Sequence, residues 1–137
     1  MAANDHNARV IEEFRANGGA VGGPFAGVPI VLLHHRGRRT GTERVTPVVA
    51  QIDGERLFIF ASKAGADEHP QWYHNLKAHP EIDVEYGTET FPVRVVELDG
   101  AERDRVWERQ KQKRPQFADY EAKTDRVIPV LELIRQA

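Results

Sequence analysis

The chain of 137 residues is 40% apolar and 29% charged, a composition typical of one folded globular domain rather than of a disordered segment. It has no cysteine, which excludes disulfides, thiolate metal sites and cysteine nucleophiles. Its formal net charge of −2 argues against a general nucleic-acid binder, and no apolar run approaches the roughly 18 residues of a membrane span. Because no secretory signal is recognisable, we expect one cytoplasmic domain over residues 1–137.

The first predicted element is a helix within residues 1–20, which Asn4 or Asp5 would cap and Gly18-Gly19 would end. Its apolar stripe consists of Val10, Ile11 and Phe14. The glycine- and proline-rich stretch 22–29 is predicted to be a loop.

Three strands are predicted next, over residues 30–35, 45–52 and 56–61. Asp53-Gly54 joins the last two and is a strong hairpin signal. Pro47 lies early in its strand, which suits a strand start or a sheet edge, because proline has no N–H to donate to a ladder.

The second half begins with a short helix over residues 71–78, which Pro70 would start and Pro80 would stop. Two strands with alternating apolar residues follow, then helices from Asp99-Gly100 and over 117–123, and a last strand over 127–134. Six short, mostly antiparallel strands with two to four helices favour a mainly β fold that closes into a small barrel.

Residues 36–44 contain four arginines and two glycines between two apolar strands. Glycine permits turn dihedrals whose successive N–H groups can cradle an anion, and arginine binds phosphate or carboxylate oxygens bidentately. This segment is either an anion site or a solvated, positively charged hairpin.

Two further segments have alternative interpretations. Residues 61–67 place small residues and Lys63 after a strand, so they form either a site for a flat ring or a plain strand-to-helix loop. Trp72 and Leu76 lie four residues apart on one helix face, where an aromatic side chain serves the core more often than a ligand.

Several site types are disfavoured by the absence of their motifs. The six histidines show no His-Glu-x-x-His, so we expect no metal site. Gly-x-Ser-x-Gly and Gly-x-Gly-x-x-Gly are absent as well, which argues against a serine hydrolase and a Rossmann nucleotide site.

Four motifs in chain order carry a resemblance that no single motif carries. They are Gly-Arg-Arg-Thr-Gly-x-x-Arg-x-x-Pro, Ala-Ser-Lys-x-Gly, His-Pro-x-Trp-Tyr-His-Asn-Leu-x-x-x-Pro and Asp-Tyr-x-x-x-Thr-Asp-Arg-x-Ile-Pro. With them the chain resembles the deazaflavin (F420)-dependent nitroreductase family of actinobacteria and related organisms, from about residue 10 to residue 133.

This resemblance implies a split β-barrel, like that of FMN-binding pyridoxamine-phosphate-oxidase-like proteins, and coenzyme F420 with its polyanionic tail. The implied cofactor-binding residues are Arg38, Arg39, Thr40, Gly41, Arg44, Pro47, Ala61, Ser62, Lys63, Ala64, Gly65, Trp72 and Asn75. The implied catalytic residues are Ser62 and Tyr120, and Phe117 joins Tyr120 in an aromatic cover over the site.

The implied activity is hydride transfer from reduced F420 to a small electron-poor acceptor such as a quinone, a nitro compound or an activated alkene. An FMN-dependent oxidoreductase and a non-catalytic F420 or flavin carrier remain alternatives. Monomer and homodimer are both open, and so is peripheral membrane association to reach quinones. Ala64, Lys123 and His34-His35 depart from residues common in the family, which bears on the acceptor rather than on the cofactor.

Overall fold

The computed structural model describes residues 2–136, and within them it contains six strands, four α-helices and two short 3-10 turns. The helices are α1 (Ala2–Ala16), α2 (Gln71–Ala78), α3 (Gly100–Lys113) and α4 (Gln116–Ala122). The strands are β1 (Ile30–Arg36), β2 (Glu43–Asp53), β3 (Arg56–Phe60), β4 (Glu81–Tyr86), β5 (Glu89–Glu97) and β6 (Val130–Arg135). The 3-10 turns cover Gly23–Phe25 and Lys63–Gly65.

The strands form a closed barrel in the order β1-β2-β3-β6-β5-β4, and every neighbouring pair is antiparallel. Alternation along each strand explains the closure, because residues two apart point to the same face. In β4, Ile82 and Val84 are buried while Glu81 and Asp83 are exposed. The predicted mainly β barrel of about six antiparallel strands is therefore confirmed.

The barrel is split along part of the β2–β3 boundary. The first residues of β2, 43–49, pair with β1 alone, and pairing with β3 begins only at Ala50, opposite Ile59. Pro47 lies in the part of β2 that has a partner on one side, as expected for a residue without an N–H donor. We call this opening the seam.

One apolar cluster fills the barrel, and a second packs outside it, where α3 and α4 cover β3 and β6. Its buried members include Phe58, Phe60, Trp107, Phe117 and Ile128. Trp107 Nε1 donates a 2.6 Å hydrogen bond to Glu121, and Lys111 donates one of 3.0 Å to the same carboxylate. These bonds join α3 to α4 and hold α4 beside the seam.

Three local predictions were wrong in detail. The helix α1 begins at Ala2, so Asn4 and Asp5 lie inside it rather than cap it; Ala2 and Ala3 have the highest intrinsic helix propensity. The β2–β3 turn consists of Gly54-Glu55, because Asp53 still pairs with Arg56. The last strand begins only at Val130, after Pro129. No helix within residues 2–136 is long and apolar enough to cross a bilayer.

Candidate functional site

Two cavities open at the seam, and Lys63 and Trp72 line both of them. The first, of about 800 Å³, is the polar cavity, lined by Asn7, His35, Gly37, Arg38, Arg39, Thr40, Arg44, Thr46, Lys63, Gln71, Trp72 and Asn75. The second, of about 380 Å³, is the aromatic cavity, lined by Phe25, Val28, Val48, Val49, Phe60, Ser62, Lys63, Ala64, Trp72, Gln116, Phe117 and Tyr120. Sequence-distant segments thus meet in one continuous region.

The cations of the polar cavity come from the loop between β1 and β2. Gly41 has a φ of 71° and donates its N–H to Gly37 O at 2.8 Å, which closes the turn. No carboxylate among the side chains that the structure describes forms an ion pair with Arg38, Arg39 or Arg44. Their guanidinium groups are available to an anion from outside the chain.

A buried hydrogen-bond network anchors this loop to the barrel. Asn75 Oδ1 accepts the backbone N–H of Arg38 at 3.0 Å, so its Nδ2 must be the group that donates to His35 Nδ1 at 3.0 Å. His35 then carries its proton on Nε2 and donates to Thr46 Oγ1 at 2.8 Å. Through these two bonds, Asn75 links the backbone of Arg38 to His35.

The same network keeps His35 neutral. The side chain is 3% exposed, and burial, followed by the charge of Arg44, lowers the pKa of His35 to about 4. Protonation at Nδ1 would set two donors against each other at Asn75. The loop is therefore anchored by neutral hydrogen bonds at physiological pH.

The aromatic cavity has an apolar wall and two hydroxyl groups. Tyr120 stacks edge-on against Phe117, with 5.1 Å between ring centroids, and its hydroxyl has no hydrogen-bond partner among the described residues. Ser62 contributes the second hydroxyl. A flat apolar ring fits such a wall, and the hydroxyls provide hydrogen bonds to a polar atom on it.

The loop after β3, residues 61–66, joins the two cavities and has an unusual backbone. Lys63 and Ala64 have φ values of 47° and 53°, in the left-handed region that costs a residue with a Cβ about 1–2 kcal/mol. Gly65 follows with a φ of 84°, and a Cβ there would lie 2.7 Å from Tyr120 O. The loop therefore packs directly on α4, and Gly65 is required for that contact.

Arg126 holds this loop from behind. Its guanidinium donates to the carbonyl oxygens of Ala61, Ser62 and Ala66 at 3.1, 2.7 and 2.7 Å. A further contact of 2.9 Å reaches His69 Nδ1. Burial lowers the pKa of Arg126, and the charge of Asp67 opposes that effect.

The structure brings most of the predicted site residues together. Those at the polar cavity are Arg38, Arg39, Thr40, Arg44, Lys63, Trp72 and Asn75, and those at the aromatic cavity are Ser62, Lys63, Ala64, Trp72 and Tyr120. Gly41, Pro47, Ala61 and Gly65 line neither cavity, although Gly41 and Gly65 have the positive φ values that shape the two loops lining them. Trp72 is half-buried at the junction of the cavities rather than enclosed in the core.

Sequence reasoning missed several contributors. Phe25 and Val28 reach the aromatic cavity from the loop before β1, for which no local pattern gave a signal. One face of β2 carries Arg44, Thr46 and Val48, because residues two apart in a strand point the same way. This spacing could have predicted that Thr46 and Val48 line the cavities together with Arg44. Arg126 lies in the motif Asp-Tyr-x-x-x-Thr-Asp-Arg-x-Ile-Pro, but the motif alone did not predict its contacts with the loop after β3.

Taken together, the site offers guanidinium groups that no described carboxylate pairs with, beside an aromatic cavity with hydroxyls at its wall. That donor set fits a molecule with a polyanionic part and a flat conjugated ring, as coenzyme F420 has. Phosphate and carboxylate groups match the arginines of the polar cavity. The ring matches the aromatic cavity.

Comparison with known proteins also points to F420. The model of the F420H(2)-dependent quinone reductase family matches residues 7–134. An F420H(2)-dependent quinone reductase of Mycobacterium tuberculosis strain H37Rv is 33% identical over 127 residues, which cover 90% of this chain and 85% of that protein.

Solved structures extend the likeness to the fold. An F420-H2 dependent reductase is 37% identical with a TM-score of 0.70, covering 77% of this chain and 93% of its own. A structure described as a domain-swapped dimer is 32% identical with a TM-score of 0.71, covering 96% of both chains. A pyridoxamine 5'-phosphate oxidase-like protein of Listeria innocua, 11% identical with a TM-score of 0.55, covers 79% of this chain and 84% of its own and shares the fold alone. This chain belongs to the F420H(2)-dependent quinone reductase family, whose cofactor is coenzyme F420.

Proposed function

We propose that this chain reduces quinones with F420, holding the anionic tail in the polar cavity and the deazaflavin ring in the aromatic cavity. The observation that carries the proposal is the set of three guanidinium groups that have no carboxylate partner among the described side chains and lie beside an apolar cavity. When bound, the reduced cofactor supplies a hydride to the electron-poor acceptor.

In this proposal, Arg38, Arg39 and Arg44 bind the tail through charge-assisted hydrogen bonds. Lys63, which lines both cavities, adds a cation where tail and ring meet. Trp72 separates the two environments, and its ring offers a flat apolar surface for the cofactor.

The chain also has to exclude water and polarise the acceptor. The wall of the aromatic cavity includes the apolar side chains of Phe25, Val48 and Phe117, which keep water from the reacting atoms. The hydroxyl of Tyr120 donates a hydrogen bond, and then a proton, to the quinone oxygen that gains electron density. Ser62 provides a second hydrogen bond to a polar atom of the ring or of the acceptor.

Titration of the purified protein with F420 and with FMN tests the binding step. We expect micromolar or tighter affinity for F420 and markedly weaker binding of FMN, which lacks the long polyanionic tail. Equal affinity for both would contradict the assignment of the polar cavity. Stopped-flow mixing of the complex of protein and reduced F420 with menadione then tests turnover, and a complex that menadione does not oxidise would be a carrier rather than a reductase.

A further inference from the structure

The loop at residues 61–66 has a conformation that its own sequence does not favour. Lys63 and Ala64 both adopt left-handed backbone angles, although each carries a Cβ, and only Gly65 adopts such angles without that penalty. Backbone hydrogen bonds within the turn are limited to Gly65 N–H with Ser62 O at 2.9 Å and Ala66 N–H with Lys63 O at 3.0 Å. The turn therefore depends on support from elsewhere in the fold.

Arg126 supplies that support from the segment before β6. One guanidinium accounts for three carbonyl contacts of 2.7 to 3.1 Å, to Ala61, Ser62 and Ala66, on both sides of the left-handed residues. No carboxylate among the described side chains forms an ion pair with it, so these neutral oxygens are its principal partners. Arg126 itself lines neither cavity.

The direction of these contacts matters for the site. Because the carbonyls of Ala61, Ser62 and Ala66 are engaged by Arg126, they are not available to the seam. The backbone N–H groups of Lys63 and Ala64 have no acceptor among the described residues, and both residues line the aromatic cavity. The loop thus presents donors and the lysine side chain to a ligand.

We infer that Arg126 is a positioning residue that holds the 61–66 loop in its left-handed, ligand-binding conformation. The inference rests on the proposed function in one respect, since F420 is the ligand that the loop would receive. Lysine at this position keeps the charge, but its three donors lie on one nitrogen, whereas Arg126 reaches the three carbonyls from three different nitrogens of a planar fork.

Affinity for F420, measured by calorimetry, is the first readout. Arg126→Lys should weaken binding by at least about tenfold, because the bound conformation is then only one of several that the loop adopts. Arg103→Lys is the matched control: Arg103 NH2 donates to Ile128 O at 2.7 Å in the same neighbourhood but lies outside both cavities. That variant should bind F420 within about twofold of the wild-type protein.

A second substitution separates positioning from direct contact. Ala64→Gly removes the steric penalty of the left-handed angle, so in the Arg126→Lys background it should recover at least about threefold of the lost affinity. In the wild-type background the same change should have a smaller effect, because Arg126 already holds the turn. The inference would be overturned if Arg126→Lys bound F420 within about twofold of the wild-type protein, or if Ala64→Gly did not restore the affinity that Arg126→Lys loses.

Hydrogen exchange of the ligand-free protein keeps this test independent of the proposed function. In Arg126→Lys, the amides of Gly65 and Ala66 should exchange faster, while those of β3 stay protected. If the wild-type protein fails to bind F420 yet Arg126→Lys shows this faster exchange, the proposed function fails and the role of Arg126 in the loop stands. Unchanged exchange at Gly65 and Ala66 would overturn the role of Arg126.

Discussion

The arginines at the seam differ in their partners from Arg56 on β3 and Arg15 on α1. Arg56 contacts Glu132 at 2.9 Å and Glu102 at 3.2 Å, and Arg15 contacts Glu85 at 2.6 Å. At the seam, no carboxylate among the described side chains pairs with Arg38, Arg39 or Arg44. A guanidinium that is already paired has little to offer a ligand, whereas a cluster of unpaired ones repels itself until an anion arrives.

The difference shows how charge is used in the two regions. Exposed pairs on the barrel wall contribute about 0–1 kcal/mol each and can be lost without consequence for a ligand. At the seam, the loop between β1 and β2 is anchored instead by neutral hydrogen bonds among His35, Asn75 and the Arg38 N–H. The predictions below test this contrast.

The largest expected effect comes from removing the unpaired charges. Replacing Arg38 and Arg39 together with alanine should weaken F420 binding by about 2–4 kcal/mol, since two groups that make charge-assisted hydrogen bonds are lost. Binding of the wild-type protein should also weaken with added salt. The paired control, Arg15→Ala with Arg56→Ala, should leave calorimetric affinity for F420 unchanged. If both pairs of substitutions acted alike, the contrast between the two regions would be lost.

The neutral anchor should make stability depend on pH. The folded pKa of His35, about 4, lies below its usual value near 6.5, so its contribution is complete above pH 6.5 and is lost as pH falls toward 4. Over that window the loss should be about 2–3 kcal/mol in the free energy of unfolding, measured with urea at several pH values.

His35→Gln is the control for this titration, because glutamine keeps a donor and an acceptor but does not titrate. The variant should be less stable at neutral pH and should show a shallower decline on acidification, since the contribution of His35 is gone while those of His69 and of the carboxylates with lowered pKa values remain. Identical pH slopes for the two proteins would place the titration elsewhere.

Tyr120 tests whether the aromatic cavity serves the acceptor. Tyr120→Phe keeps the ring that packs on Phe117, so F420 affinity should stay within about twofold of the wild-type value. Oxidation of the bound reduced cofactor by a quinone in a single turnover should slow by roughly 10- to 100-fold, because one hydrogen-bond and proton donor is lost. Tyr120→Ala should be slower still, since it also admits water. A wild-type rate for the phenylalanine variant would reduce Tyr120 to a packing residue.

The smallest effect concerns Lys63, the cation of the seam that pairs with a carboxylate in the described part of the chain. Lys63 Nζ lies 2.6 Å from Glu68, so this carboxylate competes with an incoming anion for the ammonium group. Glu68→Gln should tighten F420 binding by about two- to fivefold at low salt, with the gain disappearing at high salt. The matched control is Glu55→Gln, the same charge change in the exposed β2–β3 turn. An equal gain in both variants would mean that net charge alone is responsible.

Local signals predicted much of the fold and part of the site. The helix at Gln71–Ala78 was expected between Pro70 and Pro80, because prolines limit helices from within a few residues. The hairpin at Gly54 was likewise local, although the strand pairing moved its turn by one residue. The arginine loop and the motif containing Ser62 and Lys63 were visible as composition, and the resemblance turned them into one site.

The amino-acid sequence by itself determined the kinds of element, the barrel-forming alternation and the group of cations in residues 36–44, because these depend on neighbouring residues. The tertiary structure decided which groups remain free. The bonds from Asn75 to His35 and Arg38, and those from Arg126 to the loop at Ala61–Ala66, join residues far apart in the chain. Neither periodicity nor local motifs encode such pairings, since they exist only once the closed barrel brings α2, the β6 approach and the seam together.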